Sequence, residues 1–544
     1  MQPQRTSRAP RGSLAEAYRQ GRASAFFPLC FAQREDRLRA VRDAAARPIA
    51  AEVLAGLRRQ NEGLAPSPAR ERHLEALGRG AVAVVTGQQV GLFLGPLFTI
   101  YKAATAIRFA RLLTEESGTP AVPIFWLQTE DHDLPEIARF WLPDPQGRPT
   151  GIELPHDGDN RRSVAHLRFG PEIAGAVDEL GELLREQPHA DEHLRAIARH
   201  YREGASWAEA FAGLLAELFA EEGLVVVDPR TDDFAHVARE VHRRALEDAE
   251  GISEALLARV RALEAAGFGA AVHVRPGAPL SFFHPEGREG PRHRLERVGD
   301  DFAEVGGGRR FGKRDLLARL EDDPLCFSTS ALLRPLLQDH LLPTAAYVGG
   351  PGELAYFAQL APMYARFGRP MPLFVPRAHL RILDRRIVRR LERLRLSEED
   401  LGRSEEELVA HLRRGEAPSA VELSHELLAP FVETLERRAP ALLQLEPGLE
   451  RALRRTRASV ERAVSRFSSK VARAHLRKDG RLVEDLRTVK DALLPLGIPQ
   501  ERCHGLAPYA ALWGARAFVR AVIDNVSPLD PTFRSLRYED IERA

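Results

Sequence analysis

Short, continuous apolar runs recur along the chain: Val82-Ala83-Val84-Val85, Val122-Pro123-Ile124-Phe125-Trp126, Leu224-Val225-Val226-Val227, Ala345-Ala346-Tyr347-Val348 and Leu373-Phe374-Val375. Runs without polar alternation suit strands covered on both faces, as in a parallel sheet. Loops and helical patterns follow them, and a helix-like stretch over 97–116 joins the first two. Strand, helix and strand over about 45 residues make one right-handed crossover unit. The pattern predicts an α/β fold with a Rossmann-like parallel-sheet core over 79–380.

Connecting insertions interrupt that core around 139–220 and 250–325. Residues 139–169 alternate and turn often, as a hairpin excursion does, and 171–220 read as helices. Short strand candidates broken by Gly and Pro occupy 271–311. Ahead of the core, 1–78 form an N-terminal segment, helical in its later part, that is expected to pack on it. Past Pro376 the composition changes, and 377–414 and 446–494 are long, charged and nearly free of proline. In the second stretch Leu449, Leu453, Thr456, Val460, Ala463, Phe467, Val471 and Ala474 fall at spacings of four and three. The series resumes at Leu482, Leu486, Val489 and Leu493. Such spacing is a coiled-coil seam, and the two stretches folded back on each other give a long α-helical coiled-coil arm over 381–495. Dimerisation and a lid lying on its own core are both open uses for the arm. A last segment, 496–544, is expected to return to the core.

Composition narrows the class without choosing a function. With 544 residues, 44% hydrophobic and 28% charged, the chain has an ordinary soluble composition and room for more than one domain. Lys and Arg number 78 against 77 Asp and Glu, a net charge of +1, so nothing global attracts nucleic acid or an anionic membrane. Cys30, Cys326 and Cys503 are far apart and lack CxxC spacing. Neither a disulfide framework nor a cysteine zinc site is expected, and a reducing compartment is. Residues 1–22 lack the apolar stretch of a secretory signal, and the most apolar region, 82–107, is broken by Gly87, Gly91, Gly95, Pro96 and Lys102. A membrane span needs roughly 20 uninterrupted apolar residues. The expected location is the cytoplasm.

Three segments at strand ends carry candidate chemistry. Thr86-Gly87-Gln88-Gln89 leads through Gly91 and Gly95 into a helix bearing Lys102. A strand, a glycine-rich turn and a helix N-terminus bring backbone N–H groups toward an anion. Thr86, Gln88 and Gln89 add neutral donors and acceptors, and Lys102 supplies a cation that can turn back toward a phosphate. Neither the Walker nor the GxGxxG spacing is present. Glu130-Asp131-His132-Asp133 follows the strand ending at Trp126, at the end that faces the cleft of an open α/β sheet. The run reads as an ammonium site, a general base or a magnesium site, or else as a solvated helix start capped by Asp131 or Asp133. Hard oxygen donors with one histidine suit magnesium better than zinc, and no zinc is expected. Gly349-Gly350-Pro351-Gly352-Glu353 again turns a strand into a helix, and Glu353 answers the helix dipole or reads a substrate amine or hydroxyl. Arg334, inside Leu332-Leu333-Arg334-Pro335-Leu336, is a buried ion-pair partner or a carboxylate ligand.

Three blocks, VVTGQQVGLFLGPLFTIYKAATAI (84–107), VPIFWLQTEDHDLPEI (122–137) and LLRPLLQDHLLPTAAYVGGPGELAYFAQLAPMYARFG (332–368), resemble the bacillithiol biosynthesis family of cysteine-adding enzymes, BshC. The resemblance implies a Rossmann-like core, a coiled-coil arm that forms a homodimer, and a ligase making a carbon–nitrogen amide bond. Its substrates are then cysteine and the amine of glucosaminyl malate, and its product bacillithiol. Amide formation from a free carboxylate needs activation, so ATP or another adenine nucleotide is expected, with magnesium possible. By position, Thr86, Gly87, Gly91, Gly95, Gly349, Gly350 and Gly352 fall to the nucleotide. Glu130, Asp131, Glu353 and Arg334 fall to substrate. Gln88, Gln89 and Lys102 would serve the transferring group, with His132 or Asp133 as the base. A nucleotidylyltransferase-like ligase for another amine or sugar, or a non-catalytic metabolite-binding coiled-coil dimer, are the alternatives.

Overall fold

A computed structural model of the chain describes residues 13–156, 161–397, 399–403, 407–408, 412, 420–446, 448–478 and 480–543. The five apolar runs form one sheet, in the spatial order Leu373–Pro376, Thr344–Gly349, Val82–Gln88, Ala121–Leu127, Val225–Val227. Every neighbouring pair is parallel. Polar alternation is missing from these strands because their residues are buried nearly throughout. In chain order the strands lie 5-4-1-2-3, so the winding reverses between the first, Val82–Gln88, and the fourth, Thr344–Gly349. Loops leaving the C-terminal ends of two strands at such a reversal part company and leave a crevice.

Helices seat the sheet. Phe98–Ser117 crosses from the first strand to the second, burying Ile100, Ala104, Ile107, Phe109 and Leu113, and stops at Gly118 in the left-handed region. Arg34–Ala45 packs on the fourth strand and Ala51–Glu62 on the third. The first insertion holds the two-stranded sheet of Arg139–Pro143 and Pro149–Glu153, then the helices Glu172–Leu184, Ala190–His200 and Trp207–Leu218. The short strands of the second insertion join Phe327–Thr329 in an antiparallel sheet, ordered Phe327–Thr329, Ser281–Phe283, His293–Val298, Asp301–Glu304, Arg310–Phe311. Phe283, Leu295, Phe302 and Phe327 give it a small core of its own with Leu316 and Leu320.

Residues 382–500 belong to a second compact unit, and here the expected helix pairing is corrected. The described residues of 377–414 form no long helix: they hold the strand His379–Leu383 and the helix Arg385–Leu394. That helix has one short buried stripe, Ile387, Val388, Leu391 and Leu394, and ends where Arg395 turns left-handed. The helix paired with Leu449–Lys478 is Ala420–Leu445, which contains Pro430 and Pro440, while Gly480–Leu493 packs on Arg385–Leu394. The seam also slips by one residue near its end. Phe467 is 52% exposed, and Ser468 is the buried position, bonded to the Ser424 hydroxyl at 2.6 Å. Among the described residues no helix is long and apolar enough to cross a membrane.

Candidate active site at the sheet reversal

A cavity of about 350 Å³ lies where the loops of the first and fourth strands part. Lys102, only 3% exposed, fixes its walls from the Phe98–Ser117 helix. Its ammonium donates to the Gly87 carbonyl at 2.8 Å and to Gln88 Oε1 at 2.9 Å, and pairs with Glu353 Oε2 at 2.8 Å. Three N–H donors thus meet three acceptors. Glu353 in turn accepts from the Gly350 N–H at 2.7 Å and from the Tyr347 hydroxyl at 2.5 Å. Burial lowers the lysine pKa, with Glu353 working against it, whereas the same burial on Glu353 is outweighed by Lys102, the Gly350 N–H and Tyr347, which hold it below its ordinary value. The two glycine turns are therefore tied together by one buried ion pair. Glycine is required at 87 because a Cβ there would lie 2.7 Å from the Trp126 carbonyl oxygen.

The same contacts orient the paired amides. Gln88 gives its oxygen to Lys102, which can only donate, so its NH₂ is left to face the cavity. Gln89 Nε2 donates to Asp131 Oδ2 at 3.0 Å, and Gln89 also hydrogen-bonds Glu136. Carboxylates only accept, so its carbonyl oxygen is the group left over. Adjacent residues therefore present opposite polarity to one space.

Three arginines line the cavity, Arg334 and Arg377 toward Lys102 and Arg502 toward Glu136. Arg334, 5% exposed, donates to Gln338 Oε1 at 3.0 Å and Tyr356 Oη at 3.2 Å and lies over the Tyr347 ring at 5.0 Å. Among the described residues it has no carboxylate at ion-pair distance, so the buried ion pair foreseen as one option is not formed. Arg377, which also lines the cavity, carried no signal in the sequence, and Arg502 reaches it from the C-terminal segment expected to return to the core. Arg377 is buried against Glu501 at 2.7 Å, and Arg502 lies over Phe98 at 5.9 Å. Burial would raise the Glu501 carboxyl, but His379 and Arg377 take it down to about 2. Phe98, Trp126, Tyr347 and Tyr356 complete the walls; all four lie within the three sequence blocks, where none had been given a role in the site.

The cavity thus gathers Gly87, Gln88, Gln89, Lys102, Asp131, Arg334, Gly350, Gly352 and Glu353 from the expected set, and leaves the others outside. Thr86 ties two strands, its hydroxyl donating to the Val348 carbonyl at 2.9 Å. Gly91 and Gly95 pack on each other, and Gly349 sits under the Phe374 ring. Glu130, 4% exposed, turns to Thr329 and accepts from its N–H at 3.2 Å and from its hydroxyl. His132 does not line the cavity, and Asp133 caps the short helix Leu134–Ile137 by accepting from the Glu136 N–H at 3.3 Å. The helix-cap reading thus holds for Asp133. Of the acidic run only Asp131 lines the cavity, joined by Glu136 from the following turn. Burial pushes the Asp131 carboxyl up, but hydrogen bonding from His132 and the charge of Arg292, 3.7 Å away, outweigh it and take it down to about 2. Arg292 comes from the second insertion and also donates to the Glu130 and Thr329 carbonyls. Among the described residues no three His, Cys, Asp or Glu side chains are grouped to hold a metal ion.

The model of the N-terminal Rossmann-like domain of bacillithiol biosynthesis BshC matches residues 4–378, and that of its C-terminal coiled-coil domain matches 380–538. The chain belongs to the BshC family. Proteins similar to it carry the name "Putative cysteine ligase BshC". That of Koribacter versatilis is 36% identical over 464 residues, 85% of either chain. The Solibacter usitatus protein is 35% identical over 467 residues, again 85% of each, and that of Salinibacter ruber 34% over 481, or 88% of this chain and 87% of its own. The cavity falls in the part matched as the BshC Rossmann-like domain, apart from Arg502.

Removing the lysine strands a buried carboxylate. Lys102→Met is expected to destabilise the protein by about 3–5 kcal/mol, because loss of one partner leaves an uncompensated charge. Lys102→Met with Glu353→Gln should recover part of that loss. Chemical denaturation of the two variants checks this, and a Lys102→Met protein as stable as the native one contradicts it.

Proposed function

We propose that this cavity joins the carboxyl group of cysteine to the amine of glucosaminyl malate, forming the amide of bacillithiol. The observation that carries the reading is the fixed polarity of Gln88 and Gln89. An amide-forming site must hold a carboxyl group and an amine side by side. Gln88 N–H groups and the Arg334 guanidinium suit the acyl group, while the Gln89 carbonyl, Asp131 and Glu136 suit an ammonium. The cysteine ligase name borne by relatives with 34–36% identity points the same way.

An amine does not displace the oxygen of a free carboxylate in water, so ATP or another adenine nucleotide is the proposed cosubstrate, activating the acid as an acyl-adenylate or acyl-phosphate. Positive charge on Arg334, Arg377 and Arg502 would stabilise the negative charge that develops on the leaving group. Gly352, in the first turn of the helix Pro351–Arg366, adds a helix N-terminus on the same wall. Magnesium would enter with the nucleotide phosphates. The reaction is placed in the cytoplasm. A homodimer built through the arm is proposed as well, since Leu427, Leu442, Leu445 and Phe467 are exposed there.

Protein incubated with ATP, cysteine and glucosaminyl malate should yield the mass of bacillithiol together with AMP or ADP, and only when all three are present. Nucleotide turnover with another amine but not with this one, or binding without turnover, contradicts the reading. In sedimentation equilibrium the full chain should weigh twice its 60.5 kDa, and a monomer at high concentration contradicts the dimer.

A further inference from the structure

Three carboxylates line the cavity; Glu353 is held by Lys102, and the other two, Asp131 and Glu136, both reach the amide of Gln89. His132 and Asp133, the bases suggested by the sequence, do not line it. We propose that Glu136 is the general base that takes the proton from the attacking amine, while Asp131, held by Arg292, anchors the ammonium from which that proton comes. The assignment rests on the amide-forming reading of the cavity.

The two acids stand in opposite surroundings. Asp131 receives the His132 N–H at 2.8 Å and Gln89 Nε2 at 3.0 Å, and faces the Arg292 guanidinium at 3.7 Å. Arg292 is itself fixed, donating to the Thr329 carbonyl at 2.9 Å and lying 3.8 Å over the Phe282 ring. A carboxyl held at about 2 keeps its charge at every ordinary pH and is a weak base. Glu136, on the short Leu134–Ile137 helix, has no such arginine at ion-pair distance among the described residues. Its own loop presents Asp133 and Asp131, the first glycine turn presents Gln89, and the C-terminal segment presents Arg502. Desolvation is the largest influence and raises its pKa, the two aspartates add to the rise, and Gln89 and Arg502 offset part of it. Two acids pushed apart in this way divide into a permanent charge and a proton acceptor.

In the step so assigned, the bound ammonium gives one proton to a Glu136 carboxylate oxygen. The freed nitrogen lone pair attacks the activated acyl carbon and forms the C–N bond. The C–O bond to the phosphoryl group breaks, its electron pair leaves with AMP or phosphate, and the departing phosphate oxygen takes the second proton that the nitrogen sheds to become an amide. Gln89 holds both acids in place and takes no proton.

Four proteins in the amide-forming assay test the assignment: native, Glu136→Gln, Glu136→Ala and Asp131→Asn. For Glu136→Gln, kcat should fall about a hundredfold or more, with KM for glucosaminyl malate within about threefold of native, since a general base contributes to the rate and not to binding. Added formate should return part of the kcat of Glu136→Ala, which a purely structural loss would not allow. Asp131→Asn should instead raise KM for the amine about tenfold. An unchanged kcat in Glu136→Gln, or a Glu136→Ala protein that formate does not rescue, overturns the assignment alone. No product from the native protein overturns the amide-forming reading and the assignment together.

Discussion

The buried pairing of Lys102 with Glu353 is the contact on which the site depends. It spans the reversal of the sheet and binds the turn after the first strand to the turn after the fourth. Its contribution is geometric more than energetic, since desolvation of both ions offsets much of their attraction. By occupying Gln88 Oε1 it decides which way that amide points. By holding the Gly87 carbonyl it keeps the first turn against the Phe98–Ser117 helix. A lysine that looked suited to a phosphate is thus already satisfied from within the protein, and its effect on a ligand passes through the amide beside it.

The remaining walls arrive from far along the chain, which gives the insertions a purpose. The second insertion folds as its own antiparallel sheet and presents Arg292 to the acidic loop, where it holds the Glu130 backbone and faces Asp131. The C-terminal segment returns to set Glu501 against Arg377 and to bring Arg502 to the cavity. A Rossmann-like sheet supplies the crevice, and these additions supply its charge.

The sheet was legible because five apolar runs, short, rich in valine and aromatic residues and followed by turns, suit strands buried on both faces. The two glycine turns and the acidic loop were legible as a place, since all three end strands of one parallel sheet. Individual residues were less so. Glu130 and Asp131 are neighbours in a loop without periodicity, yet one turns to Thr329 and the other to the cavity. Arg292, Arg377 and Arg502 are ordinary arginines in an arginine-rich chain until folding brings them together. In the arm, threes and fours leave the phase open by one position, and Phe467 and Ser468 exchange their expected places. Ala420–Leu445 went unseen because its two prolines broke the charged pattern of its neighbours.

The central claim is that the cavity activates the carboxyl group of cysteine and passes it to an amine. Cysteine labelled with ¹⁸O in its carboxyl group, incubated with ATP and glucosaminyl malate, tests that claim in one mass measurement. Activation transfers one carboxyl oxygen to the leaving group, so each amide formed should place one ¹⁸O in the released AMP or phosphate. Amide formed while the released nucleotide and phosphate stay unlabelled would contradict the account.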